Sequence, residues 1–259
     1  MKEIECVQGS EQWWEARKGI VTASEASRVV QAEEGKVSVP LDMVQDVIAN
    51  REFAGVSLSP GQVDQLQADA LKAGKTRKYG YFTGVVPSSN DARTRYAAEL
   101  IAERRAGWMK SDFGGSPDIE RGLQLESEAR KWVEFELGET IRKCGIFLGD
   151  CDRYGASPDG MTESGHPVEI KCPDFHTQYR YILNGKTLPN DYKQQVHLQL
   201  AVTGAPFGWF VSYVADSRVP SFIIKVESSD YTRQLREHVE VFCGHLEDKY
   251  QRIHGEVAA

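Results

Sequence analysis

Apolar residues along this chain recur with two different periods. Up to Gly138 they return mostly every three to four positions, as on one face of a helix, and beyond it short runs alternate residue by residue, as in strands. Ser10 predicts the N-cap of a short helix carrying Trp13, Trp14 and Arg17, and Gly19 is placed to end it in the left-handed conformation. Thr22 and Glu25 read as a capping box for a second helix, and the tight corner between the two should hold Arg17 near Ser24. A helix capped by Ser88 or Ser89 runs through Tyr96, Leu100 and Ile101 and stops by Gly107. Ser116-Pro117 starts a long helix that Gly138 closes. Its apolar face is Ile119, Leu123, Ala129, Val133 and Leu137; Glu126 falls on the same stripe, which points a carboxylate inward.

Past Gly138 the pattern predicts strands at 140–148, 153–156 and 167–172, helices at 175–183 and 190–202, strands at 207–214 and 221–226, and a closing helix at 230–253. Strands and helices in that order imply an α/β fold, a mixed sheet flanked by helices. The stretch 34–87 is patterned more weakly. It holds two modest amphipathic helices, at 41–51 and 62–73, and then a Gly-, Lys- and Tyr-rich loop over 73–84. It reads as a helical insertion within a single domain spanning 1–259.

Composition adds bounds rather than detail. With 41% hydrophobic and 27% charged residues, the 259-residue chain can bury one sizeable core. No apolar run approaches the roughly 20 residues of a membrane helix, and the first residues lack an apolar signal region, so a cytoplasmic location is expected. Cys6, Cys144, Cys151, Cys172 and Cys243 are odd in number and include no C-x-x-C pair, which suggests reduced thiols rather than disulfides or zinc. A net charge of -7 argues against indiscriminate binding to nucleic acid. Locally, Lys72, Lys75, Arg77, Lys78, Arg93, Arg95, Arg104, Arg105 and Lys110 face only Asp91, Glu99 and Glu103, a basic stretch that is either a solvated face or part of a DNA path.

The chemistry concentrates in Ser157-Pro158-Asp159-Gly160 and Val168-Glu169-Ile170-Lys171-Cys172. Alternation puts Glu169 and Lys171 on one face of a strand and Val168, Ile170 and Cys172 on the other. Asp159, at the end of the preceding hairpin strand, can come opposite Glu169. Two convergent carboxylates beside an ammonium suit magnesium or manganese, hard cations that prefer oxygen ligands and retain several waters. Such a site activates water for attack on a phosphodiester.

Five motifs in order resemble the lambda exonuclease, or YqaJ-type viral recombinase, branch of the PD-(D/E)XK nucleases. They are Trp13 to Glu25 (WWEARKGIVTASE), Gly122 to Arg130 (GLQLESEAR), Ser157 to Gly160 (SPDG), Val168 to Pro173 (VEIKCP) and Tyr192 to Gln199 (YKQQVHLQ). The resemblance implies a restriction-endonuclease-like fold in which Asp159, Glu169 and the Ile170 main-chain carbonyl bind Mg2+, with Mn2+ able to substitute. It assigns Glu126 to a second ion or its water shell, Lys171 to the attacking water, and Gln195 to completing the site. It makes Arg17 and Ser24 a pocket for the 5′-phosphate of a DNA end. As function it implies 5′ to 3′ digestion of linear double-stranded DNA, leaving 3′ single strands for annealing. The implied assembly is a homotrimeric ring, partnered by a single-strand annealing recombinase and independent of membranes. Other readings stay open from the residues alone. Arg17 could pair with Glu15 or Glu25, Gln195 could be a core amide, and Trp13 and Trp14 could be core, subunit contact or base platform. His197 stands where the family more often has Gln, and no role follows for it. Rival activities are an endonuclease of restriction or resolvase type and a non-catalytic DNA-end-binding module.

Overall fold

The computed structural model describes residues 2–29, 35–53, 56–73, 77–84, 91–107 and 117–255. Contacts divide the chain into two compact units, one of Met1–Val29 with Tyr96–Ala259 and one of Val30–Arg95.

In the first unit, five of the described strands form a mixed sheet in the order Phe222–Glu227, Phe207–Ser212, Pro167–Lys171, Gly160–Thr162, Ile141–Arg142. Pro167–Lys171 runs parallel to Phe207–Ser212 and antiparallel to Gly160–Thr162. Its two faces have different covers. Val168 and Ile170 pack with Val211, Tyr213, Ala129 and Val133 beneath the long helix Pro117–Leu137. On the opposite face Phe210, Phe222 and Val226 pack with Tyr181, Val196 and Leu200 from helices Phe175–Leu183 and Asn190–Thr203. A half-apolar strand between two helical layers thus becomes the centre of the unit. Gly138 (φ 66°) and Gly204 (φ 68°) end helices Pro117–Leu137 and Asn190–Thr203 in the left-handed region, where a side chain would be strained.

Four other described strands, Lys2–Ile4, Ile146–Leu148, Tyr154–Ala156 and Val21–Thr22, form a second sheet. The single strand expected over 140–148 is therefore two, one in each sheet, with Cys144-Gly145 between them. A Cβ at Gly145 would collide with the Ile4 carbonyl oxygen and lie 2.8 Å from the Cys6 nitrogen, so the crossing requires the missing side chain. The chain crosses back at Ser157–Asp159. Asp159 accordingly sits in a link between sheets rather than at the end of a hairpin strand. Gln8 Nε2 (2.7 Å) and the Cys144 thiol (3.3 Å) both donate to the Pro158 carbonyl and pin that link.

Ser10 caps Glu11–Arg17 by accepting from the Trp13 N–H at 3.2 Å, and Gly19 takes φ 65°. The capping box does not form. The Thr22 N–H donates to the Tyr96 hydroxyl (3.3 Å) and Glu25 pairs with Arg28 (3.1 Å), so the reciprocal bonds have other partners and the corner continues as a 3-10 turn, Ala23–Glu25. The caps expected at Ser88 or Ser89 and at Ser116, and the side chains of Ile119 and Leu123, lie outside the described residues. The closing helix is Asp230–Gly255, and all five cysteines are unpaired. No helix among the described residues is long and apolar enough to cross a membrane.

The second unit holds helices Val44–Asn50 and Pro60–Ala73 where two were expected. The predicted loop over 73–84 is overturned in part: Tyr79–Gly84 is a strand, antiparallel to Gly35–Pro40, with Val37 opposite Phe82. Its aromatic and Thr residues favour a strand, but the partner lies some forty residues earlier, and glycines and lysines nearby disguise it. Val39, Val44, Val47, Leu58, Leu66 and Phe82 give this unit its own core.

Candidate active site

The site is built around Glu169, which alternation puts on the face of Pro167–Lys171 opposite Val168 and Ile170. That face is not open to water: Glu169 is 1% exposed. Helix Asn190–Thr203 lies over it, and residues four apart on that helix, Gln195 and Gln199, both donate amide hydrogens to its carboxylate, Gln195 at 2.6 Å. The Lys171 ammonium, two residues along the strand, is 2.6 Å away. A buried carboxylate is tolerable because it is fully paired. Gln195 is thereby brought to Glu169, as the resemblance implied. Gln199 was not singled out in the sequence, although its i+4 spacing from Gln195 was a usable signal.

Asp159 reaches the same place from the inter-sheet link. Its carboxylate accepts from the Ile170 N–H at 2.6 Å. In an extended strand a residue's N–H and C=O point to the same side, so the Ile170 carbonyl also faces the Asp159 side, beyond the last register pair of strand Gly160–Thr162, Gly160 with Val168. Burial, the charge of Glu169 and a smaller push from Glu126 raise the Asp159 carboxyl to about 8, against the pull of Lys171 and the Ile170 N–H. Burial alone would lower the Lys171 value, but the charges of Glu169 and Asp159 outweigh it and hold the ammonium protonated.

Glu126, expected to point inward, is half-buried with its side chain 28% exposed, and it has a protein partner. One turn along the long helix, Arg130 is 8% exposed, pairs with Glu126 through Nη2, and donates through Nη1 to the Asp159 main-chain carbonyl at 2.6 Å. Its buried Nε has no partner among the described residues. Arg130 therefore ties the helix carboxylate to the Asp159 link. Sequence reasoning passed over it, because an i+4 Glu-Arg pair ordinarily marks a solvated helix face.

On the other side of that link, Arg17 and Ser24 meet as the corner predicted, with Nη2 to Oγ at 3.4 Å. Ser157, missed in the sequence, completes the group: it accepts from Trp13 Nε1 at 2.9 Å and from Arg17 Nη1 at 3.5 Å. The Arg17 guanidinium lies 4.1 Å from the centre of the Trp13 ring. Among the described residues no carboxylate is within ion-pair distance of Arg17; Glu15 pairs with Lys18 and Glu25 with Arg28. Burial lowers the guanidinium value. A partly desolvated cation facing two hydroxyls is suited to an oxyanion. Ser157 and Asp159 are separated only by Pro158, so this pocket and the carboxylates share one segment.

His197 belongs to neither group. It is buried, shares a 2.8 Å hydrogen bond with the Thr232 hydroxyl and joins two helices. Within the basic stretch, Arg104 bonds the Gly19 carbonyl (2.7 Å) and Glu247 (3.1 Å), Arg77 approaches Asp69 (3.6 Å), and Lys75 and Lys110 lie outside the described residues.

Among the described residues no three His, Cys, Asp or Glu side chains are arranged as a ready metal cage. The carboxylates instead hold the nearest protein cations and amides. The donor set still fits a hard cation: all its oxygens are carboxylate or carbonyl, and Asp159 feels excess negative charge from two neighbours.

The mixed sheet between helices, with Glu169 and Lys171 on its central strand and Asp159 brought beside them from the inter-sheet link, is of the restriction-endonuclease-like fold. Residues 82–206 match the family model of a YqaJ-like viral recombinase domain, a stretch that spans Glu126 through Gln199. The crystal structure of an alkaline exonuclease (LHK-Exo) from Laribacter hongkongensis is similar, with a TM-score of 0.68, 24% identity, and coverage of 96% of this chain and 98% of that one. LHK-Exo in complex with dAMP matches at TM-score 0.67 and 25% identity, again over 96% and 98% of the two chains. No curated protein sequence matches this chain.

Proposed function

We propose that this protein is a magnesium-dependent exodeoxyribonuclease that digests linear double-stranded DNA from 5′ ends. The observation that carries the reading is the Ser157-Pro158-Asp159 segment, one end of which faces Arg17 and the other Glu169. A grip for a terminal phosphate beside a hydrolytic centre is what an end-directed nuclease needs. Asp159, Glu169 and the Ile170 carbonyl hold Mg2+, for which Mn2+ can substitute, and Glu126 serves a second ion. The metal, when bound, supplies the charge that activates water and stabilises the leaving oxygen. Lys171 orients the attacking water, and Gln195 with Gln199 fixes the Glu169 carboxylate. Water attacks phosphorus and the P–O3′ bond breaks, releasing a mononucleotide and leaving a new 5′-phosphate for Arg17 and Ser24 to bind. That the protein forms a trimeric ring and works with a single-strand annealing recombinase rests on the family resemblance. The similar fold of an alkaline exonuclease, and a complex of that protein with dAMP, support the substrate class.

The test is digestion of linear duplexes bearing 5′-phosphate or 5′-hydroxyl ends, and of closed circles, with and without magnesium. The proposal expects magnesium-dependent loss of linear DNA, a preference for phosphorylated ends, and intact circles. Arg17→Ala should slow digestion of the phosphorylated duplex about ten- to hundred-fold, as for loss of one charge-assisted contact, and abolish the preference. Equal slowing on both ends would remove Arg17 from the site; cleavage of circles would make the protein an endonuclease.

A further inference from the structure

At the end of the mixed sheet lies a cleft of about 660 Å3, within the range of small-ligand sites. It opens past the carboxyl ends of the two parallel strands, Pro167–Lys171 and Phe207–Ser212, where open α/β sheets usually bind ligands. Leu125, which precedes Glu126, forms one wall, and Pro173, two residues beyond Lys171, forms another. Val214, Ala215 and Phe175 complete an apolar lining, and Phe175 is 49% exposed, its ring left to the cleft and solvent.

The polar members of the lining argue against an anion. Among the described lining residues there is no Lys or Arg, and His176 is the one side chain there that could take up positive charge, against two carboxylates. Asp174 accepts from the Thr177 N–H at 2.6 Å, capping helix Phe175–Leu183 and offsetting the positive end that would otherwise attract a phosphate. Asp216 is held by Arg218 at 2.6 Å. What remains is an apolar, aromatic-sided cleft with negative charge at its margin, next to residues that the nuclease reading places around a scissile phosphate. Of the components of DNA, the nucleobase is the neutral, flat one, with a π-face suited to an aromatic wall.

We propose that this cleft receives one unpaired nucleobase flanking the scissile phosphodiester, stacked on Phe175, and that it thereby sets the register of cutting. The proposal rests on the nuclease reading. Stacking on an aromatic ring is tolerant of sequence because every base has a π-face, so the site holds any of the four bases. Its partner in the task is the Arg17 group: one end of the nucleotide chain is held by charge, the other by apolar contact.

Single-turnover cleavage of 5′-phosphorylated duplexes carrying an abasic residue at the first, second or third nucleotide tests this. The wild type should be slowed roughly five- to hundred-fold by the abasic residue at one of the three positions. Phe175→Ala should be slowed to a similar degree on intact DNA and be indifferent to the abasic residue there, while Phe175→Trp restores the wild-type pattern. Ala215→Trp, a substitution at an exposed position that fills the cleft without removing a contact, should behave like Phe175→Ala. A wild type indifferent to abasic residues at all three positions, or Phe175→Ala and abasic effects that multiply, overturns the proposal. Normal cleavage by both cleft variants would assign the cleft to another occupant, such as a protein partner. If the wild type does not cut intact duplex in magnesium, the nuclease reading itself fails and takes the cleft with it; cutting without base dependence removes the cleft alone.

Discussion

Glu169 is shut off from water and held by two amides and an ammonium, so its replacement does two things at once. Glu169→Ala should abolish cleavage and also cost roughly 3–5 kcal/mol of stability, because Lys171 and two glutamine amides lose their partner. Asp159→Asn should abolish cleavage while leaving the melting temperature of the metal-free protein unchanged or higher, since burial and Glu169 already disfavour its charge. Thermal unfolding beside a magnesium-dependent cleavage assay separates the two; a stable Glu169→Ala protein would contradict the burial argument. His197 makes a prediction of opposite kind. Burial, reinforced by Lys193, lowers its value from 6.5 to about 4. The unfolded chain therefore takes up its proton first as pH falls. The stability that His197 contributes is complete above the ordinary value and is lost as pH drops through the folded value. Between about pH 7 and about pH 4, wild type should lose on the order of 2–3 kcal/mol more than His197→Gln, measured by urea unfolding. Parallel pH curves for the two proteins would contradict the assignment.

At the scale of elements, the site depends on the chain leaving one sheet and entering another twice, side by side. Gly145 makes the first crossing possible and its neighbour Cys144 helps pin the second through the Pro158 carbonyl. Gly145→Ala should destabilise the protein by roughly 2–4 kcal/mol, since backbone rather than a flexible side chain occupies the space. Gly244→Ala is the matched control. It lies inside helix Asp230–Gly255 with nothing near its added methyl, and should stabilise by about 0.5–1 kcal/mol. Equal effects of the two, read as melting temperatures, would show that the inter-sheet crossing is not the constraint described.

At the scale of the whole molecule, two units have separate cores. Leu66 is fully buried in the core of the 30–95 unit. Leu66→Ala should cost that unit roughly 2–5 kcal/mol. Hydrogen exchange should then speed up over 35–84 while amides of Pro167–Lys171 keep their protection, because stability is not uniform across a structure. Simultaneous loss of protection in both regions would mean that the two units unfold as one.

The sequence by itself determined the helices with strong punctuation, the alternation that sets Glu169 and Lys171 apart from Val168 and Ile170, and the corner that joins Arg17 to Ser24. Each depends on a few neighbouring residues whose φ/ψ preferences or side-chain period is local. Tertiary structure alone decided that the 140–148 run divides between two sheets, that Tyr79–Gly84 finds a strand partner near residue 37, and that the polar face of the central strand is roofed by a helix. It likewise decided that Arg130, Ser157 and Gln199 meet the Asp159 carbonyl, Arg17 and Glu169. Their partners lie 29, 140 and 30 positions away along the chain, and no local pattern records which distant group a side chain will meet once sheets and helices have packed.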